Sequence, residues 1–147
     1  MEKILNNLMK QEFYYLSINT KGQKLYEFTE NTLSWIKKNN FKNGILNISI
    51  QHTSASLIVQ ENADPDVLTD LQNYFDKLVP MENKLYIHTT EGKDDMPAHI
   101  KSALTNNQIS LSIKDGILLL GTWQGLYLFE HRIDNHLRKI VHHFIGE

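Results

Sequence analysis

Three of the seven histidines lie beside small or acidic residues, where an imidazole could take part in chemistry. His52 precedes the small residues of "TSAS", His88 closes "NKLYIH", and His99 closes "EGKDDMPAH". Neutral imidazoles that converge can hold a divalent metal ion or bind a phosphate. No local motif such as HExxH is present, so the tertiary structure has to assemble any such cluster. A histidine at these positions can equally donate a hydrogen bond to a backbone carbonyl in a purely structural role.

Acidic residues mark two predicted helix starts, in "ENADP" and in "DDMP". A carboxylate at such a position caps the helix, which would explain it without any ligand. The free N–H groups of the same helix turn can also hold a phosphate when a cation offsets the acidic neighbours. We expect "EGKDDMPAH" to start a helix and to place Asp95 and His99 opposite His88 in a cleft.

The motif "GTWQG", residues 121–125, allows two interpretations. It predicts either a tight turn with a buried indole, or a binding site in which Trp123 stacks on a planar ring and Gln124 reads its edge. Glu130, His131 and Arg132 follow at the end of the next predicted strand. They offer a carboxylate, an imidazole and a guanidinium, although such a triplet is also typical of an ordinary exposed strand end.

These residues depend on a framework in which strands come first, then helices, then mostly strands, as in an α+β domain. Helices are predicted in "TENTLSWIKKNNFKNG" with Thr29 as cap, in "DPDVLTDLQNYFDKLVP" with Asp64 as cap, and in "PAHIKSAL". The stretch "GILNISIQH" predicts a strand with His52 on its apolar face, and "NKLYIHTT" one that ends at His88. The small residues "TSAS" interrupt the strand pattern, which resumes in "LIV". Further strands are predicted in "EFYYLSI", "QISLSI", "ILLLGT", "LYLFEHR" and "LRKIVHHFI". A (β/α)8 barrel is excluded because it needs about 250 residues.

Composition excludes several classes of protein. A chain of 147 residues suits a single domain, 1–147, and a net charge of −2 gives no attraction to nucleic acid or to an anionic membrane. The longest apolar runs are far shorter than the roughly 20 residues of a membrane helix. The absence of cysteine excludes disulfides and thiolate metal sites. We expect a cytoplasmic protein that binds neither nucleic acid nor membranes.

Three longer stretches carry a resemblance to a known family: "HTSASLIVQENADPDV", "YIHTTEGKDDMPAHIKSAL" and "LLLGTWQGLYLFEHR". They stand in the family's order, and the resemblance runs from about residue 12 to residue 147. On these motifs the chain resembles the YjbQ family. The resemblance implies a β-sandwich with a few helices, assembled as a compact homotrimer with clefts near the subunit boundaries.

Members of this family are also named secondary thiamine-phosphate synthases. The resemblance therefore implies a weak activity that joins hydroxymethylpyrimidine diphosphate to thiazole phosphate. Carried over by motif, the family's polar positions fall on His52, Glu61, Asn62, Asp64, His88, Asp95, His99, Trp123, Gln124 and Glu130.

The first functional hypothesis is a metal-assisted transferase with a phosphorylated small-molecule substrate. A divalent ion, zinc or magnesium, is expected at His52, His88 and His99, where it would neutralise a diphosphate. The candidate catalytic carboxylates are Glu61, Asp95 and Glu130. The candidate substrate-binding residues are Thr53, Ser54, Asn62, Asp64, Trp123, Gln124, His131 and Arg132.

Two alternatives stay open. The first is a metal-dependent hydrolase in which the same ion activates water and Asp95 or Glu130 acts as general base. The second is a non-catalytic trimeric binder of a phosphorylated or heterocyclic metabolite.

Overall fold

The computed structural model describes residues 9–147, and within that range it contains eight strands and three α-helices. The strands are β1 Lys10–Lys21, β2 Lys24–Glu27, β3 Gly44–Ile50, β4 Ala55–Glu61, β5 Gln108–Lys114, β6 Ile117–Leu118, β7 Gln124–Glu130 and β8 Asn135–Gly146. The helices are α1 Thr29–Lys38, α2 Pro65–Leu78 and α3 Asp95–Leu104. In this part of the chain, no helix combines the length and the apolar character that crossing a bilayer requires.

The strands form two sheets. Five strands pair in the order β1-β8-β3-β5-β6, and three pair in the order β2-β7-β4. The paired strands run antiparallel. The predicted α+β class is confirmed, whereas the sandwich and the trimer stay predictions.

The apolar face predicted for "GILNISIQH" is confirmed on β3. Leu46 and Ile48 have no exposed surface, and Ile50 is 8% exposed. Together with Leu57 of β4 and Leu128 of β7, they belong to one hydrophobic cluster. Full burial of such a side chain contributes about 1.5–3 kcal/mol. This cluster therefore contains side chains from strands of both sheets.

The central strand of the smaller sheet, β7, is buried on both faces. Its outward side chains Tyr127 and Phe129 form a second cluster with Leu25 of β2, and Leu68 and Phe75 of α2 pack against it. The buried strand β7 therefore gives the pair β4–β7 a fixed position, and the pair supports the side chains at its two ends.

The strand predicted to end at His88 is wrong. Asn83–Leu85 form a short 3-10 turn, and the residues that follow it belong to no strand. Leu85 is 55% exposed and Ile87 is fully exposed. Because no neighbouring strand covers these apolar side chains or pairs with their backbone, the alternation in the sequence does not produce a strand.

Several predicted boundaries also need correction. The strand β3 ends at Ile50, so His52 lies beyond it. Thr29 is the first residue of α1 and not its cap, since its hydroxyl donates to Glu27 Oε2 at 2.7 Å. Only Ile117–Leu118 of "ILLLGT" is a strand, because the chain turns where Leu120 N–H bonds the Leu118 carbonyl.

The third helix starts earlier than predicted. It begins at Asp95, before Pro97, so its first turns carry both the acidic residue and His99. Asp94 occupies the N-cap position but makes no side-chain cap. The capping prediction is confirmed instead at α2, where Asp64 accepts the Asp66 N–H at 2.9 Å.

Candidate metal centre

Three side chains meet at the start of α3. Nε2 of His88 lies 2.7 Å from Oδ2 of Asp95, and Nε2 of His99 lies 3.3 Å from the same oxygen. The three candidate ligand atoms all lie within 4.8 Å of one another. The structure thus brings two of the three histidines predicted to bind metal together with a carboxylate predicted to be catalytic.

Local structure explains most of this arrangement. Asp95 and His99 are four residues apart on α3, a spacing that puts both on one face of a helix. His99 Nδ1 lies 3.0 Å from the Thr53 carbonyl, which can only accept, so the proton sits on Nδ1. Nε2 of His99 therefore keeps its lone pair and points it at the shared space, as a metal ligand requires.

Arg132 fixes the loop that leads into α3. Its Nε donates to Asp94 Oδ2 at 2.9 Å, Nη1 donates to Asp95 Oδ1, and Nη2 donates to the Glu91 carbonyl at 2.9 Å. A planar guanidinium presents its donors in a fixed fork, so one side chain sets three loop positions at once. Arg132, predicted to bind substrate, is placed to orient the carboxylate that faces the histidines.

The electrostatics keep Asp95 ionised. Burial alone would raise the pKa of its carboxyl, but the hydrogen bond from His88 and the charge of Arg132 outweigh it, and the pKa is lowered. The pKa of Asp94 is lowered as well, because bonds from the Ile133 N–H and Arg132 outweigh its burial. A carboxylate beside two imidazoles is available as a ligand at neutral pH.

This group fits a divalent transition metal. Two imidazole nitrogens and one carboxylate oxygen are the donor set of many zinc and iron sites, whereas magnesium prefers oxygen ligands. Ligands of tetrahedral zinc lie roughly 3.3 Å apart. The 3.3 Å between His99 and Asp95 matches this value, the 2.7 Å hydrogen bond between His88 and Asp95 would have to lengthen, and all three atoms lie within 4.8 Å of one another. The side chains of His88 and His99 are 44% and 32% exposed, which leaves one side open to a substrate.

His52, the third histidine predicted to bind metal, is engaged elsewhere. Its Nε2 accepts the Lys139 N–H of β8 at 2.9 Å. Burial and then the charge of Arg138 lower its pKa, so it is neutral there. Because the lone pair of Nε2 is used by the backbone, Asp95 and not His52 is the third member of the cluster in the structure.

Glu130 lies in a buried network close to this centre. It has no exposed surface, and it accepts bonds from Thr20 Oγ1 at 2.7 Å, from Arg138 at 2.6 and 2.5 Å, and from the Arg132 N–H at 3.0 Å. Arg138 also donates to the hydroxyl and the carbonyl of Ser54. Burial would raise the pKa of Glu130, but these donors outweigh it and lower the pKa. Its contacts are those of a structural ion pair.

His131 is also fully buried. Its Nε2 lies 2.8 Å from the Ser56 hydroxyl, and Nδ1 has no hydrogen-bond partner among the described residues. Burial, with help from Lys101 and Arg138, lowers its pKa to about 3. His131 is thus a neutral interior histidine, and it is not exposed to a substrate.

The remaining predicted site residues lie at the opposite end of the β4–β7 pair. Ala55 pairs with Glu130 at one end, and Glu61 pairs with Gln124 at the other. Six residue steps at about 3.3 Å each separate the two by roughly 20 Å. We call the first the imidazole end (His88, Asp95, His99) and the second the amide end (Glu61, Asn62, Asp64, Trp123, Gln124). Within one chain the two sets do not share a site.

At the amide end, a carboxylate that the sequence did not single out is held by neutral groups. Glu27 Oε2 accepts from the Thr29 hydroxyl at 2.7 Å and from Asn62 Nδ2 at 3.4 Å. Burial and then Glu27 raise the pKa of Tyr127 to about 12. A Cβ on Gly125 would lie 2.9 Å from Glu27 Oε2, so the glycine makes room for this carboxylate. A groove of about 600 Å³ borders these side chains.

The "GTWQG" motif forms the turn of the first interpretation, but the buried indole expected there is wrong. Trp123 is 63% exposed and not buried. Gln124 Oε1 accepts the Gly121 N–H at 2.7 Å, and the Asn62 N–H bonds the Trp123 carbonyl at 2.9 Å. The motif is a turn that presents an indole to solvent.

Comparison with known sequences agrees with these motifs. The model of the family described as UPF0047 protein YjbQ-like matches residues 14–147. The UPF0047 protein sll1880 of Synechocystis sp. is 48% identical over 138 residues, which is 94% of each chain. The UPF0047 protein YjbQ of Escherichia coli O157:H7 is 39% identical over 133 residues, covering 90% of this chain and 96% of that one.

Solved structures share the fold. A YbjQ-like protein of unknown function from Sulfolobus solfataricus P2 has a TM-score of 0.82 at 20% identity, over 94% of this chain and 100% of that one. An uncharacterised conserved protein of the YjbQ/UPF0047 family from Clostridium acetobutylicum has a TM-score of 0.75 at 30% identity, over 88% and 97% of the two chains. None of these four descriptions states a reaction. The chain belongs to the YjbQ-like UPF0047 family.

Proposed function

We propose that the imidazole end is a divalent-metal site and that the protein is a metal-dependent hydrolase of a phosphorylated small molecule. The observation that carries this proposal is the convergence of His88, Asp95 and His99 on one space that is open on one side. The other polar residues predicted for the site either lie in buried structural contacts or belong to the amide end. A hydrolase needs only the groups that are present at the imidazole end.

The protein's own groups would bind the ion and hold it in place. His99 offers the Nε2 lone pair, and Asp95 offers Oδ2 while Arg132 holds its other oxygen. Nε2 of His88 donates its hydrogen bond to Asp95 in the metal-free structure, so the ion would replace that proton and take its place between the two groups. The Thr53 carbonyl keeps the proton of His99 on Nδ1. The ion, when bound, would polarise a phosphoryl oxygen and make a water molecule a better nucleophile.

Charge favours an anionic substrate. Arg132 and Asp94 form an ion pair, so their charges cancel. A dication with the single negative charge of Asp95 and two neutral imidazoles would then leave a net positive centre whenever the exposed Glu91 carboxylate is turned away from the ion. Such a centre attracts phosphate esters and diphosphates more than neutral compounds.

The thiamine-phosphate synthase reaction is the second candidate. It joins a pyrimidine diphosphate to a thiazole phosphate and needs a flat surface for the pyrimidine ring, which the exposed Trp123 offers. Because Trp123 lies at the amide end, this reaction requires an imidazole end and an amide end from different copies of the chain. A non-catalytic metabolite binder would use the same surfaces without turnover.

A homotrimer would supply such neighbouring copies. Support comes from the outer face of the five-stranded sheet, where the register aligns apolar side chains that are 39–70% exposed: Phe13, Tyr15, Ile45, Leu137 and Ile145. Closed symmetric assembly commonly buries a face of this kind. Light scattering coupled to size exclusion would give the mass of three chains, and the mass of one chain would overturn the trimer.

One assay separates the two reactions. Zinc-loaded protein is incubated with hydroxymethylpyrimidine diphosphate, with and without thiazole phosphate, and released phosphate and thiamine phosphate are measured. The hydrolase predicts phosphate release without the thiazole, its loss in Asp95→Asn, and its retention in Trp123→Ala. Thiamine phosphate formation that Trp123→Ala abolishes would favour the transferase. No turnover of either compound, or of p-nitrophenyl phosphate, would favour the non-catalytic metabolite binder over both enzymes.

A further inference from the structure

Glu91 opens the loop before α3, and the protein fixes its backbone. Its carbonyl accepts Arg132 Nη2 at 2.9 Å, so it is held by the same guanidinium that holds Asp95. The next residue, Gly92, has φ +107°, a conformation that glycine adopts without strain. A Cβ there would also lie 2.9 Å from Asp94 Oδ1. The backbone of Glu91 is therefore held in place as firmly as that of Asp95.

The Glu91 carboxylate lies at the edge of the metal centre. Its Oε2 is 3.7 Å from His88 Nε2, the same nitrogen that lies 2.7 Å from Asp95 Oδ2. Two ionised carboxylates that face the same imidazole nitrogen are held together by a proton or a cation between them. The two differ in mobility, because the side chain of Asp95 is 3% exposed while that of Glu91 is 64% exposed.

We propose that Glu91 is an exchangeable fourth ligand, which binds the ion in the resting protein and is displaced by the phosphate of a substrate. This inference rests on the proposed function. With Glu91 bound, the charges of the ion, Asp95 and Glu91 cancel, and the centre is neutral. When Glu91 leaves, the centre becomes positive at the moment a phosphate replaces it. Rotation of an exposed side chain is enough for this exchange, and the buried Asp95 stays in place.

The test uses Glu91→Gln, which keeps the shape of the side chain and removes its charge. Zinc affinity is measured by competition with a chromophoric chelator, and inorganic phosphate is then titrated into the zinc-loaded protein by calorimetry. We expect Glu91→Gln to bind zinc about 10-fold more weakly and to bind phosphate several-fold more tightly than wild type, because the competing carboxylate is gone. Glu82→Gln, which changes another exposed carboxylate, should leave both affinities unchanged.

The outcomes separate this inference from the function on which it rests. A wild-type protein that takes up no zinc overturns the metal site itself and Glu91 with it. Wild-type zinc binding with unchanged zinc and phosphate affinities in Glu91→Gln overturns the role of Glu91 alone. Weaker zinc binding without tighter phosphate binding makes Glu91 a permanent ligand and overturns the exchange.

Discussion

The two ends of the β4–β7 pair each hold a carboxylate, but with different partners. At the imidazole end, Asp95 faces two imidazole nitrogens and is held by Arg132. At the amide end, Glu27 is held by the Thr29 hydroxyl and the Asn62 amide. Nitrogen lone pairs converge only in the first case, so only the first suits a metal ion. The acidic motifs "ENADP" and "DDMP" look alike in the sequence, and their partners from distant elements distinguish them.

The two ends should also differ in what stabilises them. A buried ion pair stabilises the imidazole end, and hydrogen bonds from neutral groups stabilise the amide end. Arg138→Met at the imidazole end leaves Glu130 buried without its counter-ion, and we expect a loss of about 3–5 kcal/mol in unfolding free energy. Asn62→Ala at the amide end should cost about 1 kcal/mol. Urea unfolding measures both. Equal losses would remove the distinction, and adding Glu130→Gln to Arg138→Met should restore part of the stability.

Acidic pH should lower the unfolding free energy of the protein through His131, which follows Glu130 at the imidazole end. Its pKa is about 3 in the folded protein and 6.5 in the unfolded chain, so the unfolded state takes up a proton first as the pH falls. Stability present above pH 6.5 is therefore lost below it, by on the order of 2 kcal/mol between pH 7.5 and 5. Urea midpoints at several pH values test this.

The core residue His142 has a pKa lowered to about 4 by burial and should act in the same direction. His142→Phe should flatten the acid dependence, because a phenyl ring fits among Tyr14, Phe28 and Trp35. An acid dependence as steep as that of wild type would show that His142 does not contribute.

At the amide end, the protein has little room for a side chain at position 125. In Gly125→Ala the new methyl group would lie 2.9 Å from Glu27 Oε2 and 3.1 Å from the ring of Tyr127. We expect a loss of about 1–2 kcal/mol in unfolding free energy with no change in zinc affinity. Combining it with Glu27→Ala should recover part of the loss. A change in zinc affinity would mean that the two ends are coupled.

Alkaline pH should lower the unfolding free energy through Tyr127 at the amide end. The pKa of Tyr127 is about 12 in the folded protein and 10 in the unfolded chain, so its contribution is complete below pH 10 and is lost as the pH rises through 12. Between pH 9 and 11 the loss is about 1 kcal/mol. Tyr127→Phe should remove this component of the alkaline loss, as urea midpoints would show, and an unchanged slope would contradict it.

Local signals predicted the parts of the fold that local chemistry determines. The Asp64 cap of α2 and the buried alternation of β3 are confirmed, because capping and side-chain parity depend on adjacent residues. The pairing of Asp95 with His99 follows from helical spacing in the same way. The strand proposed before His88 failed because strand formation depends on a partner that the sequence does not display.

The division of the candidate residues between two ends could not be predicted. It depends on the register that pairs Glu61 with Gln124 and Ala55 with Glu130. The engagement of His52 by the backbone of β8 and the clamp formed by Arg132 are likewise contacts between distant segments. The sequence contained a usable signal for Glu91, since it stands three residues after His88, but none for the contact between Glu27 and Asn62.

Metal content is the most direct test of the difference between the two ends. Wild type, His99→Ala and Trp123→Ala are incubated with zinc, desalted and analysed for bound metal. We predict about one zinc ion per chain in wild type and in Trp123→Ala, and none in His99→Ala. Zinc retained by His99→Ala, or absent from wild type, would contradict a metal site at the imidazole end.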